Sequence, residues 1–155
     1  MVDCGVSDVF IGEYKHNLDS KGRIIIPAKF REELGDLLIV TRGFDGCLSL
    51  YTQEQWKRLY ATLRKLPPTK KESRMYIHMI TVKACECELD SQGRILIPAS
   101  LAKEAALEKE CVIVGVGDHA EIWSDERWNT YYETASSSFE ENAEELTEYM
   151  FDEAL

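Results

Sequence analysis

The sequence predicts an α+β protein with a mainly β core, in which one turn-and-strand unit occurs twice within a single chain. Residues 16–28 read HNLDSKGRIIIPA and residues 87–99 read CELDSQGRILIPA, so nine residues recur in the same order at an offset of 71. Similar strand and helix patterns follow both copies, which indicates a tandem duplication. Because one short strand-turn-strand unit cannot bury both of its faces, we expect the two copies to interleave their hairpins into one closed β unit with a pseudo-two-fold axis.

Each copy of the repeated stretch is typical of a tight turn that leads into a short strand. The carboxylates of Asp19 and Asp90 can accept hydrogen bonds from the backbone two residues on, and Gly22 and Gly93 allow a positive φ. The β-branched run that follows each glycine ends at a proline, which cannot donate to a β ladder but suits the first turn of a helix. Short helices are therefore expected directly after the two prolines.

The remaining segments predict strands and helices in the same order in both halves. Alternating apolar residues or short β-branched runs predict strands at 10–17, 37–41, 47–51, 80–88, 111–115 and 120–123. Thr52 and Gln55 form a capping-box pattern at the start of a helix whose apolar stripe runs to Leu66. Further helices are expected at 28–34, 69–79, 99–105 and after Ser124.

These patterns divide the chain into five segments. We expect a disordered leader at 1–9, a first repeat at 10–66, a connector with a short helix at 67–79, a second repeat at 80–135 and an acidic C-terminal tail at 136–155.

Composition limits the classes of protein that the sequence can represent. No apolar run approaches the roughly 20 residues that a membrane span needs, and the chain does not begin like a signal peptide. Five cysteines do not form a disulfide framework, so reduced thiols in the cytoplasm are expected. We expect no membrane partner.

The net charge of −10 argues against nucleic-acid binding until its distribution is considered. Residues 13–103 contain 16 Lys and Arg against 11 Asp and Glu, whereas residues 104–155 contain 2 against 15. A basic region joined to an acidic one is compatible with a nucleic-acid-binding face. On charge alone, however, an acidic surface that simply keeps the protein in solution is the favoured interpretation.

The doubled LDSxGRIxIPA element, preceded by IGEYKHN, closely resembles the MraZ family of bacterial transcriptional regulators over roughly residues 9 to 135. The wider relatives are AbrB-like swapped-hairpin β-barrels, in which two chains interleave. The resemblance implies that here one chain supplies both hairpins, with flanking helices around the barrel. It also implies a ring-shaped homo-oligomer that binds repeated boxes in promoter DNA. The resemblance further implies control of the division and cell-wall gene cluster, including the chain's own promoter, with repression as the expected sign and association with the nucleoid.

The D-x-x-x-R spacing leaves two interpretations open. Asp19 and Asp90 can rigidify their turns by binding their own arginines, or they can pre-order Arg23 and Arg94 for phosphate or guanine. The resemblance favours DNA contact by Arg23, Arg94 and Lys21, with Lys15 as a flanking phosphate contact and Gly22 and Gly93 orienting the turns. Gln92 replaces Lys21 in the second copy, so the two halves are expected to contribute unequally.

No pattern in the sequence indicates an enzyme. The chain lacks a nucleophile elbow, a P-loop and a dinucleotide fingerprint, so we expect no catalytic residue, no cofactor and no small-molecule substrate. Cys85 and Cys87 form only a weak zinc pattern, and buried structural thiols are the favoured interpretation, with no metal. The alternative to a DNA-binding regulator is an antitoxin-like or scaffolding protein-interaction module, which the acidic C-terminal third favours.

Overall fold

The computed structural model describes residues 9–151, which fall into two compact units that divide the chain after Asp125. Eight strands lie within the described residues: β1 Phe10–Asn17, β2 Arg23–Ile25, β3 Leu37–Arg42, β4 Leu48–Tyr51, β5 Cys85–Glu88, β6 Arg94–Leu96, β7 Glu110–Gly117 and β8 Ala120–Ser124. The helices are α1 Ala28–Leu34, α2 Gln53–Leu63, α3 Lys71–Thr81, α4 Ala99–Glu104, α5 Asp125–Ser137, α6 Phe139–Glu145 and α7 Thr147–Phe151. The predicted α+β class is confirmed. The leader expected to be disordered lies outside the described residues except for Val9.

The strand order shows that the two repeats interleave in the first unit. Six strands form an antiparallel sheet in the order β1-β7-β8-β4-β3-β5, and β2 pairs with β6 in a separate two-stranded ribbon. The first strand of each repeat therefore lies against the third strand of the other repeat, as β1 with β7 and β5 with β3. Since β4 also pairs with β8, neither repeat builds a sheet from its own strands alone.

The ribbon lies on the pseudo-two-fold axis. Ile24 and Ile95, which correspond in the two repeats, are directly opposite each other in the β2–β6 register. Both side chains are buried and belong to one core. That core takes large apolar side chains from both repeats, among them Phe10, Ile26, Phe30, Leu38, Leu50, Ile97, Leu101, Ile113 and Ile122.

Two helix boundaries are set by local chemistry that the sequence displays. The capping box is present, because the Thr52 hydroxyl accepts from the backbone N–H of Gln55 and the Gln55 side chain accepts from the backbone N–H of Thr52. Gly35 ends α1 with a φ of 77°, a conformation that costs glycine little. The α2 helix ends at Leu63 instead of continuing to Leu66.

The strand predicted at 80–88 is wrong in its first half. Helix α3 continues to Thr81, and β5 begins only at Cys85. Ser73, Ile77 and Ile80 occupy one helical face, on which Ser73 and Ile80 are buried. A short apolar run fits a strand and a helix equally well, and packing against the sheet decides between them here. In this packing the Thr41 hydroxyl donates a hydrogen bond to the carbonyl oxygen of Ile80.

The second unit is helical and acidic. It contains most of α5 together with α6 and α7, and the last two helices lie in the predicted acidic tail. Within residues 9–151, no helix is both long and apolar enough to cross a membrane.

Candidate nucleic-acid interface

The first repeated turn holds its arginine through its aspartate. Asp19 Oδ1 accepts from the backbone N–H groups of Lys21 and Arg23, both at 2.9 Å, and Asp19 Oδ2 accepts from Nε of Arg23 at 2.8 Å. The backbone N–H of Asp19 donates back to the carbonyl of Arg23, and Gly22 closes the turn with a φ of 85°. The carboxylate therefore fixes both the turn and the direction of the arginine side chain.

The second turn repeats this geometry at Asp90. Its Oδ1 accepts from the backbone N–H groups of Gln92 at 2.8 Å and Arg94 at 2.9 Å, and its Oδ2 accepts from Nε of Arg94 at 2.8 Å. Gly93 has a φ of 78°. In addition, Nη1 of Arg94 lies 4.0 Å from Oδ2 of Asp19, so the two turns are close to each other at the pseudo-two-fold axis.

Hydrogen bonding keeps both carboxylates ionised. The backbone N–H of Arg23 is the main cause that lowers the pKa of Asp19, partial desolvation opposes it, and the Arg23 side chain lowers it further. The pKa of Asp90 is lowered for the same reasons by Arg94. Each arginine is thus bound to a stable anion over the whole neutral pH range.

The terminal nitrogens of Arg23 remain available for a ligand. Only Nε is bound to Asp19, and among residues 9–151 no protein acceptor binds Nη1 or Nη2 of Arg23. The side chains of Arg23 and Arg94 are 31% and 23% exposed, so neither guanidinium is enclosed in the core. A guanidinium fork held by its Nε is ready to bind a phosphate or the acceptor edge of guanine in a bidentate way.

The two arginines share the outward face of the ribbon with two apolar residues. In the β2–β6 register, Arg23 is opposite Leu96 and Ile25 is opposite Arg94. Because alternate residues of a strand point to opposite faces, these four side chains lie on the face away from Ile24 and Ile95. Ile25 and Leu96 are 42% and 59% exposed, and neither is among the residues predicted from the sequence to contact DNA. The alternation of inward and outward residues along each strand could have identified them. The sequence hides this alternation, because every residue between the arginine and the proline is apolar.

The two predicted lysines differ in their surroundings. Lys21 is exposed in the first turn, directly beside the Asp19–Arg23 pair. Lys15 lies on β1 and its Nζ is 3.8 Å from a carboxylate oxygen of Asp125, so it already has an acidic neighbour within the protein. The structure thus brings Arg23, Arg94 and Lys21 together at the ribbon, whereas Lys15 lies on a separate strand.

Three buried cysteines, Cys47, Cys87 and Cys111, are consistent with structural thiols. Burial raises the pKa of Cys87 to about 12 and that of Cys111 to about 11, so both remain protonated at neutral pH. Cys47 is also buried, and its pKa is raised by burial and by nearby Glu121. Within residues 9–151, no cluster of side chains has the composition of a metal site.

The side chain of His119 is less exposed to solvent than is usual for a residue in a surface turn. Its ring stacks on Tyr51 with centroids 5.0 Å apart, and its nitrogens lie 2.8 Å from Asp118 and 3.3 Å from Glu121. Burial disfavours the charged ring, but the hydrogen bonds to Glu121 and Asp118 outweigh burial and raise the pKa of His119.

A raised pKa in the folded state makes the free energy of unfolding depend on pH. The stabilisation is fully present below the unfolded pKa of about 6.5 and is lost as the pH rises through the higher folded value. We therefore expect the melting temperature of the parent protein to fall as the pH rises above about 6.5. His119→Gln should remove this component of the pH dependence, and an unchanged pH profile in that variant would contradict the assignment.

The fold and the site define a class of protein: a duplicated α+β chain in which two interleaved repeats present paired Asp–Arg turns on one ribbon. A family profile described as "MraZ protein, putative antitoxin-like" matches residues 9–78 and again 80–149. The chain belongs to the MraZ family of transcriptional regulators.

Curated relatives agree with this membership over nearly their whole length. The transcriptional regulator MraZ of Ligilactobacillus salivarius is 52% identical over 141 residues, which cover 91% of this chain and 99% of the relative. The transcriptional regulator MraZ of Natranaerobius thermophilus is 49% identical, with 91% and 99% covered. Among solved structures, the solution structure of PHS018 from Pyrococcus horikoshii is 19% identical with a TM-score of 0.33, covering 72% of this chain and 94% of that one.

Proposed function

We propose that this chain regulates transcription by binding duplex promoter DNA with the outward face of the β2–β6 ribbon. The observation that carries the proposal is the pair of guanidinium groups on that face, each held at Nε by the carboxylate of its own turn. A two-stranded ribbon fits the major groove of B-DNA, where arginine binds the O6 and N7 atoms of guanine. Lys21 adds a cation that suits a phosphate.

The exposed apolar residues of the ribbon support base contact as well as backbone contact. Ile25 and Leu96 lie beside the two arginines, and apolar side chains discriminate thymine by packing against its methyl group. In this arrangement the arginines and the apolar pair read base edges, while Lys21 sets the position on the backbone. To act as a flanking phosphate contact, Lys15 must give up its interaction with the carboxylate of Asp125 and bind a DNA phosphate instead.

A single ribbon offers few contacts, so we propose that affinity comes from several subunits acting together. A ring-shaped homo-oligomer on repeated boxes converts later binding events into intramolecular ones and raises avidity without new contacts. The target that the resemblance implies is the promoter of the division and cell-wall gene cluster, with repression of the chain's own gene. The site of action is then the nucleoid, in the cytoplasm, and the subunit fold is the swapped-hairpin barrel of AbrB-like proteins.

Binding to the DNA upstream of the chain's own gene tests the proposal directly. We expect tight binding that weakens steeply with salt, because log K falls with log salt by about 0.9 per neutralised phosphate. Fluorescence anisotropy over a salt series measures the slope, with a scrambled duplex of equal length as the control. Native mass with and without DNA reports the oligomer. Equal affinity for the two duplexes at every salt concentration would rule out sequence-specific regulation through this face.

The second candidate is an antitoxin-like or scaffolding module without a direct DNA role. The second unit favours it, because that unit is strongly acidic and exposes Phe139, Tyr149 and Phe151. Capture of a protein partner, together with failure of the promoter duplex to bind, would support this candidate.

A further inference from the structure

The two repeats differ in charge at several corresponding positions, two of which concern the turns. At the offset of 71, Lys21 of the first turn corresponds to Gln92 of the second, so the second turn lacks one cation. By the same offset, Arg31 of α1 corresponds to Ala102 of α4, so the first repeat has one additional cation in its helix. Both cations therefore belong to the first repeat. The same helices also differ at Lys29, which corresponds to Ser100, and at Glu32, which corresponds to Lys103.

The interleaved topology places each helix beside the turn of the other repeat. The backbone N–H of Ile26, just before α1, donates to the carbonyl of Gly93 at 2.9 Å. Symmetrically, the backbone N–H of Ile97, just before α4, donates to the carbonyl of Gly22 at 2.9 Å. Residue 31 therefore belongs to the helix that lies beside the second turn, and residue 102 to the helix that lies beside the first.

The guanidinium of Arg31 lies directly on the second turn. A β-carbon added at Gly93 would collide with Nη1 and Cζ of Arg31, so the space over this glycine is filled by that group. At Gly22, the nearest atoms to an added β-carbon are the carbonyl oxygen of Ile97 at 3.6 Å and a methyl of Leu96 at 3.7 Å. Among residues 9–151, no cation of the opposite repeat lies within 4 Å of this position over Gly22.

The first turn instead borders open space. A groove of about 930 Å³ runs along Lys21, Gly22 and Ala102. Arg31 is half-buried, and among residues 9–151 no carboxylate forms an ion pair with it. A partly exposed guanidinium without an acidic partner among these residues, placed over Gly93 and thus next to Arg94 in the chain, is suited to a phosphate anion.

We propose that Arg31 is a phosphate contact of the second turn and supplies from the opposite repeat the cation that Gln92 lacks. Each turn then carries its motif arginine and one further cation, Lys21 in the first and Arg31 in the second. The inference rests on the proposed DNA binding and adds to it a residue outside the repeated motif. It also gives the two turns the same number of cations despite their different sequences.

The test measures binding to the upstream duplex over a salt series for Arg31→Ala, for Gln92→Lys and for the double variant Arg31→Ala/Gln92→Lys. Arg31→Ala should weaken binding roughly three- to tenfold and reduce the salt slope by about 0.9 per engaged subunit, since one phosphate contact is lost. Adding Gln92→Lys to Arg31→Ala should restore both the affinity and the slope, because the turn regains a cation of its own.

Matched controls separate this role from packing and from failure of the proposed function. The mirror exchange Lys21→Gln should weaken binding and Ala102→Arg should rescue it, whereas Lys103→Ala, an exposed lysine of α4, should change little. Melting temperatures of all variants identify any loss of folding. Failure of Gln92→Lys to rescue Arg31→Ala would overturn the inference alone, provided that Arg23→Ala still weakens binding. Absence of binding by the parent protein would overturn the proposed function itself and the inference with it.

Discussion

Replacement of both motif arginines, in Arg23→Ala/Arg94→Ala, is expected to eliminate measurable binding to the promoter duplex. Each single replacement should cost about 1–3 kcal/mol per site, because it removes a bidentate donor from the ribbon. The guanidinium of Arg94 lies 4.0 Å from Asp19, so the two losses are coupled and need not add. Anisotropy titrations at one fixed salt concentration, with both single variants in parallel, measure the effect.

The fold should survive this double replacement. Asp19 Oδ1 keeps its bonds to the backbone N–H groups of Lys21 and residue 23, which do not depend on the side chain at 23. The turn is therefore retained, and the melting temperature should change little. Arg58→Ala is the matched control, since Arg58 also pairs with a carboxylate four residues away but lies on α2. Unchanged DNA affinity in the double variant would remove both arginines from the interface.

The sequence predicted the turn geometry correctly because that geometry depends on neighbouring residues. Asp, Gly and Arg at fixed spacing determine which backbone donors the carboxylate meets, and β-branched residues up to the proline determine the strand. The duplication then predicted interleaving, because neither copy can bury its own faces. These local rules required no knowledge of the rest of the chain.

Other features depend on contacts between distant residues and could not be read from local patterns. Arg31 is an unremarkable helical residue in the sequence, and only the interleaving brings it to the turn around Gly93, far along the chain. Likewise, the boundary between α3 and β5 is set by packing on the sheet, where Ile80 is buried and its carbonyl binds Thr41. The enclosure of His119 against Tyr51 is a third such contact.

The second large expected effect is on stability and concerns the inner face of the ribbon. Ile24→Ala and Ile95→Ala should each lower the free energy of unfolding by about 2–5 kcal/mol. Both side chains are 1% exposed and lie opposite each other on the pseudo-two-fold axis, beneath the face that carries the arginines. Truncation leaves a cavity that strands of only three residues can close poorly. Because the two residues are neighbours, the double variant is expected to deviate from the sum of the single ones.

The same two strands provide the controls for this experiment. Ile25→Ala and Leu96→Ala remove apolar groups of similar size from the outward face, where water already contacts them, so the free energy of unfolding should change by less than about 1 kcal/mol. Urea unfolding of all four variants measures the difference. If the outward variants nevertheless bind promoter DNA more weakly, one face of the ribbon supports folding while the other supports recognition. Equal destabilisation by inner and outer truncations would instead mean that the outward face is buried in solution by a contact between subunits.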